Sequence, residues 1–105
     1  MRRGDVHRLR IPGATGHEQR GDRYGVVVQS DGLLPRSVVL VAPTSRSARH
    51  ASFRPEVVVD GEATLVLVEQ VGAVDASRLT ELVGHVDPAE MWGIDEALLT
   101  VLDLR

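Results

Sequence analysis

Residues 53–71 read FRPEVVVDGEATLVLVEQV. Two runs rich in Val and Leu flank Asp60-Gly61, a dipeptide that accepts the positive φ angles of a tight hairpin turn. The reading is a strand over 53–59, a hairpin turn, and a second strand over 64–71. Pro55 has no N–H to give to a ladder, so the first of these strands lies on a sheet edge or begins there. An antiparallel pair of this kind sets the fold class.

Outward from this hairpin the chain keeps the same character. Upstream, residues 3–11, 24–30 and 37–42 read as three further strands, with DGLLPR (31–36) as turn chemistry. IPGATGHEQRGD (11–22) is a loop by its Pro and Gly content, and TSRSARHAS (44–52) is polar and irregular. Downstream, DASRL (75–79) suggests one helical turn and 79–86 a short strand. Asp87-Pro88-Ala89-Glu90 sets an N-cap acid, Pro at the first helical position and Glu at the third. Met91, Ile94, Leu98 and Val101 follow with helical spacing, predicting an amphipathic helix over 88–102. The sum is an α+β fold: a strongly bent antiparallel sheet or small barrel with a C-terminal helix, in one domain over 1–105.

Composition agrees and narrows the function. The 105 residues suffice for one compact core, and with aromatics at only 3% that core must be built from Val, Leu, Ala and Ile. Without cysteine there are no disulfides and no thiolate metal sites. No apolar run approaches a membrane span and the Arg-rich start lacks an apolar signal core, so a soluble cytoplasmic protein is expected. The net charge of −3 hides an asymmetry: residues 1–54 carry ten Arg against four acids, net +6, whereas 55–105 carry two Arg against eleven acids, net −9. A basic half of this kind suits an anionic partner. All twelve cations are Arg, whose fork donates two bonds to one phosphate.

GHEQRGDRYGVVVQSD (16–31) joins a loop crowded with His17, Glu18, Gln19, Arg20, Asp22 and Arg23 directly to a β-branched run. A plain connection needs no such set, and the loop and strand start read as half of an active site. Further groups complete a pattern: RGDV at 3–6, VAPTS at 41–45, LVEQVGAVDASRL at 67–79 and IDEAL at 94–98. Together with GHEQ and the following Arg, the chain resembles, over its whole length, the MazF/PemK toxins, ribosome-independent mRNA endoribonucleases of toxin–antitoxin pairs.

The resemblance implies an SH3-like bent sheet, a homodimer, cleavage of single-stranded RNA at short sequences without metal or other cofactor, and neutralisation by a cognate antitoxin. It assigns key roles to Arg23 before the second strand and Thr44 after the third, with Glu18 as the loop acid. Three features depart from the family pattern. Tyr24 stands where Pro usually follows the Arg, His7-Arg8 replaces an aromatic pair, and Gly72 stands where an Arg usually follows the Gln.

On the chemistry, Arg23 supplies fixed positive charge to a phosphate, and its alternative is a surface pair with Asp22. Thr44 donates a hydroxyl to the same phosphate or makes a strand-end turn bond. Glu18 accepts the 2′-OH proton, holds Arg23, or is a solvated loop acid. Ser45 is a second hydroxyl donor. Arg46, Arg49 and His50, with His17, Gln19 and Arg20, are candidates for tracking the RNA, and Gln70 for reading a base edge or for strand-end packing. His17 and His50 as an acid–base pair is a rival reading without supporting spacing. No HxxxH or HxH occurs, so no metal site is expected. Met91 and Trp92 are read as core or dimer contacts. Two further rivals are a toxin of the same fold that poisons a protein such as gyrase, and an RNA-binding relative without catalysis.

Overall fold

The computed structural model describes residues 1–10 and 23–105. Among these residues, seven strands and one α-helix follow in order: β1 (Asp5–Leu9), β2 (Tyr24–Val27), β3 (Val38–Ser45), β4 (Glu56–Val59), β5 (Glu62–Val66), β6 (Gly72–Asp75), β7 (Leu79–His85) and α1 (Pro88–Val101). Every pairing is antiparallel, in the spatial order β4-β5-β3-β2-β1-β7, with β6 also on β3. The result is a curled antiparallel half-barrel with one C-terminal helix.

The curl has its origin in β3. Its first half, Val38–Val41, pairs with β6, whereas Thr44 and Ser45 pair with β5. One long strand therefore serves two sheet segments, and the chain between β5 and β6 turns the corner. A 3₁₀ turn at Val68–Gln70 makes that corner, and Leu67 N–H donates to the Pro43 carbonyl at 2.8 Å. The fifth strand expected over 64–71 thus ends at Val66, and β6 is a separate strand that its pattern did not reveal. The fourth strand begins at Glu56, after Pro55, and it is the sheet edge that the proline implied.

The hairpin between β4 and β5 has Val59 opposite Glu62, so only Asp60 and Gly61 turn the chain. Their φ angles are +54° and +80°, both positive, as a two-residue turn matched to strand twist requires. The helix start also follows its sequence signal. Asp87 accepts from Glu90 N–H and Glu90 Oε1 accepts from Asp87 N–H, a complete capping box with Pro88 at the first position. The other oxygen of Glu90 accepts from Val58 N–H at 2.8 Å, tying the helix start to the free edge of β4. The helix ends with Asp103 at φ +55°, where Asp103 N–H donates to Thr100 and Leu104 N–H to Leu99, a Schellman closure.

Strand alternation divides the apolar residues into two clusters on opposite faces. The larger, with Val6, Val26, Val57, Val66 and Val68, is closed by Ile94 and Ala97 of α1. Complete burial of a side chain such as Ile94 contributes about 1.5–3 kcal/mol. The smaller, on the face away from the helix, gathers Val27, Val39, Val41 and Leu79, with Leu9 and Val74 packed against it. Trp92, expected in a core or a dimer contact, is 67% exposed on the outer side of α1, whereas Met91 packs against the larger cluster. Among the described residues no helix is long and apolar enough to cross a membrane.

Candidate functional site

The smaller apolar face opens into a groove of about 240 Å³ lined by Leu9, Arg23, Val41, Pro43, Gln70, Gly72, Ala73, Val74 and Arg78. Six elements meet here for a simple reason. β3 carries both β2 and β6, so the start of β2, the corner before β6 and the turn after it all reach the same side. The floor is aliphatic, and the two cations and one amide stand on the walls.

Arg23 enters β2 with its carbonyl accepting from Leu9 N–H at 3.2 Å, which fixes the backbone beneath its side chain. The guanidinium makes no hydrogen bond or ion pair with a described residue. This wall therefore presents a cationic side chain with no described carboxylate lining the groove beside it.

Thr44 lies inside β3, not beyond it, and is 2% exposed. Its Oγ1 accepts from Tyr24 N–H at 3.4 Å. This bond gives the Tyr24 departure a physical meaning, because a proline at that position has no N–H to donate. The contact draws the Thr44 hydroxyl to the backbone of the residue next to Arg23. It uses one acceptor site of the hydroxyl and leaves its proton free to be donated. Tyr24 is further held by the Arg8 guanidinium, 5.7 Å from its ring centre.

The remaining candidates separate. Gln70, expected at the end of a strand, sits in the 3₁₀ turn, exposed at the groove wall. Ser45 is occupied locally, its Oγ accepting from Ser47 N–H at 3.2 Å. Arg46 forms an ion pair with Glu62. Arg49 and His50 are exposed in the connection after β3 and do not line the groove. Glu18, His17, Gln19 and Arg20, as well as Asp22, lie outside the described residues. Among the described residues, no three His, Asp or Glu side chains converge to hold a metal ion.

Sequence reasoning assigned no role to Arg78, which it placed in a helical turn. The turn is a 3₁₀ segment, Ala76–Arg78, capped by Asp75, whose carboxylate accepts from Ser77 N–H at 2.9 Å and from Ser77 Oγ at 2.7 Å. These hydrogen bonds hold the Asp75 carboxyl below the usual carboxylate range. Arg78 Nε then donates to the Arg10 carbonyl at 2.7 Å, and Arg10 N–H returns a bond to the Arg78 carbonyl at 2.9 Å. The signal available beforehand was the motif VDASRL itself, in which a capping Asp fixes the direction of an Arg three residues later.

A second polar cluster lies away from the groove. Asp5 is buried on β1 and accepts from His85 Nδ1 at 2.9 Å and from Arg2 N–H at 2.9 Å. Burial opposes its ionisation most strongly. The bonds from His85 and Arg2, with the nearby His85 and His7, outweigh burial and bring its pKa below the ordinary value.

Comparison with solved structures places this half-barrel in a defined class. It matches a Mycobacterium tuberculosis toxin, MazF-mt6, with a TM-score of 0.79 at 15% identity, over 96% of this chain and 98% of the other. It matches equally well, at 0.79 and 19% identity, over 100% of this chain and 97% of the other, a mycobacterial endoribonuclease solved in complex with its cognate antitoxin. At these identities the likeness establishes the fold. The sequence establishes the family: residues 2–102 match the model of the PemK-like, MazF-like toxins of type II toxin–antitoxin systems, and the chain belongs to that family. Two of its relatives are endoribonuclease EndoA of Bacillus subtilis, 31% identical over 99% of this chain and 96% of the relative, and endoribonuclease MazF9 of Mycobacterium tuberculosis, 33% identical over 99% and 98%. A further protein of Mycobacterium tuberculosis, named only as a candidate toxin, is 42% identical over 97% of each chain.

Proposed function

We propose that this toxin is an endoribonuclease that cuts single-stranded RNA by attack of the ribose 2′-OH on the adjacent phosphorus. The observation that carries the reading is the Arg23 guanidinium on the groove wall, bonded to no described residue, with the buried Thr44 hydroxyl, which does not itself line the groove, accepting from the next residue's N–H. Two relatives named as endoribonucleases, aligned over nearly the whole chain, support it.

In the step itself the 2′-oxygen bonds to phosphorus as its proton is removed, and the bond from phosphorus to the 5′-oxygen breaks as that oxygen gains a proton. The products are a 2′,3′-cyclic phosphate and a 5′-OH end. Arg23 stabilises the charge that builds on the phosphoryl oxygens, and Thr44 donates a hydrogen bond to them. Glu18 takes the proton or orients Arg23. The internal nucleophile needs no metal-bound hydroxide, and the proposed step uses none. Outside the groove, Ser45, Arg46, Arg49 and His50 flank the path of the strand.

The chain acts as one domain, as a homodimer in the cytoplasm, and is silenced by a cognate antitoxin whose acidic, disordered segment folds over the basic half. A solved relative in complex with its antitoxin supports that partner. The decisive experiment compares an all-ribose RNA with one bearing a single deoxyribose 5′ to the cut. The second substrate should survive, and EDTA should leave cleavage of the first intact. Arg23→Ala should lose on the order of 10²–10³ in kcat, by analogy with removal of one oxyanion donor. Cleavage of the deoxy-substituted strand would refute the mechanism. Absence of any cleavage by the purified dimer would refute the activity.

A further inference from the structure

We infer that the groove beside Arg23 is a nucleotide subsite flanking the scissile phosphate, and that Arg78 is its second phosphate-binding residue. The inference rests on the RNA-cutting reading of Arg23 and adds to it a residue and a place for the neighbouring nucleotide.

Three observations converge. First, Arg78 is presented as a fork. Its Nε is committed to the Arg10 carbonyl at 2.7 Å, and its two terminal nitrogens bond to no described residue. A guanidinium fixed through Nε loses little further freedom when its terminal nitrogens grip a phosphate. The capped turn after Asp75 sets the backbone from which it projects. Second, Arg78 and Arg23 line the same cavity, and no described carboxylate lines it with them. Asp75 faces its own turn, where Ser77 satisfies it. Two cations around one aliphatic floor suit a group that is anionic at its edge and flat and apolar in its body, which describes a nucleotide. Third, the floor is kept open by Gly72. A Cβ there would meet only the Gln70 carbonyl oxygen, at 3.9 Å, so the backbone tolerates a side chain. What a larger one would take is space in the groove that Gln70 and Arg78 border.

The test measures binding of a fluorescent, mixed-sequence, fully 2′-O-methylated RNA, which this chemistry cannot cut, across a salt series. The wild-type dimer should bind, and more weakly as salt rises. Arg78→Gln should bind about tenfold more weakly or worse, as expected for a lost charge-assisted bond. Its slope of log affinity against log salt should shrink by about 0.7, one phosphate contact to a single strand. Gly72→Leu, which leaves both arginines in place, should weaken binding with little change in slope. Arg105→Gln, at the far end of α1 on the opposite face and paired with Glu96, should change neither. With a cleavable RNA, Arg78→Gln should raise KM and leave kcat within a few-fold, whereas Arg23→Ala lowers kcat. Equal affinity and slope for wild type, Arg78→Gln and Gly72→Leu would overturn the subsite while leaving the activity standing. Failure of the wild type both to bind this probe and to cut all-ribose RNA would overturn the activity, and the subsite with it.

Discussion

Thr44 separates structural from chemical roles in a single pair of substitutions. Thr44→Val keeps the shape and removes the hydroxyl. The side chain is 2% exposed and its Oγ1 accepts from Tyr24 N–H at 3.4 Å. Loss of an acceptor for a buried donor costs about 1–3 kcal/mol, and the length of this bond places it near about 1 kcal/mol. Thr44→Ser keeps the hydroxyl and removes a buried methyl, which costs about 0.8 kcal/mol in transfer and somewhat more for the space left behind. The two variants should therefore unfold at similar temperatures, roughly 5 °C below the wild type for a domain of this size. Their activities should diverge. The Ser variant should cut RNA within a few-fold of the wild type, and the Val variant should fall by about 10–100-fold, because only the hydroxyl can donate to the phosphate. Thermal melts and single-turnover cleavage well below both melting points check this. Parallel losses of activity in the two variants would show that Thr44 merely holds the sheet together.

Gly4→Ala should destabilise the fold by about 1–3 kcal/mol. Gly4 has φ +93° and a Cβ there would lie 2.9 Å from His85 Cε1; an unchanged urea midpoint would contradict this. Ile94→Ala should cost about 2–5 kcal/mol by opening a cavity at a residue of zero exposure. Because α1 lies on the face away from the groove, cleavage by the folded variant should keep its wild-type kcat. For pH, the folded-state pKa of Asp5 is depressed, so its stabilisation is complete above the unfolded carboxylate value and is lost as pH falls through the folded one. Asp5→Asn should accordingly flatten the acid limb of a stability–pH curve below the ordinary carboxylate pKa, and an unchanged acid limb would show that the His85 bond does not favour the charged form.

The legible parts of this fold were those where local chemistry decides the backbone. Asp60-Gly61 could only be a tight turn, and Asp87-Pro88 with Glu90 could only begin a helix, because each places unusual φ demands or orphan N–H groups next to the residues that satisfy them. The corner after β5 was hidden because Thr64–Val68 is buried without interruption. A segment buried on all sides loses the alternation by which a strand end is recognised, so the run appeared to continue to Val71 and β6 went unseen. Arg23 and Gln70 were found from residue types in a motif, and both line the groove. Thr44, a candidate from the same pattern, does not line the groove, and its burial and its bond to Tyr24 depend on the β2–β3 register, which no local pattern encodes. Arg78 was overlooked for the same reason: the carbonyl that holds it belongs to Arg10, sixty-eight positions away.

The double duty of Glu90 bears on how this chain stays out of trouble. β4 is the last strand on its side of the sheet, and the outer rim of such a strand normally offers bare N–H groups to any extended peptide that drifts past. Here the N–H at the middle of that rim, on Val58, is already taken by a carboxylate anchored in the first turn of α1. The same carboxylate closes the helix start, so it cannot swing away without undoing the cap. An incoming strand would have to evict it, lose the cap, and then face Glu56 and Glu62 along the hairpin. Strand-to-strand recruitment, whether by a stray unfolded chain or by an extended partner segment, is thereby turned away from the helix side of the molecule.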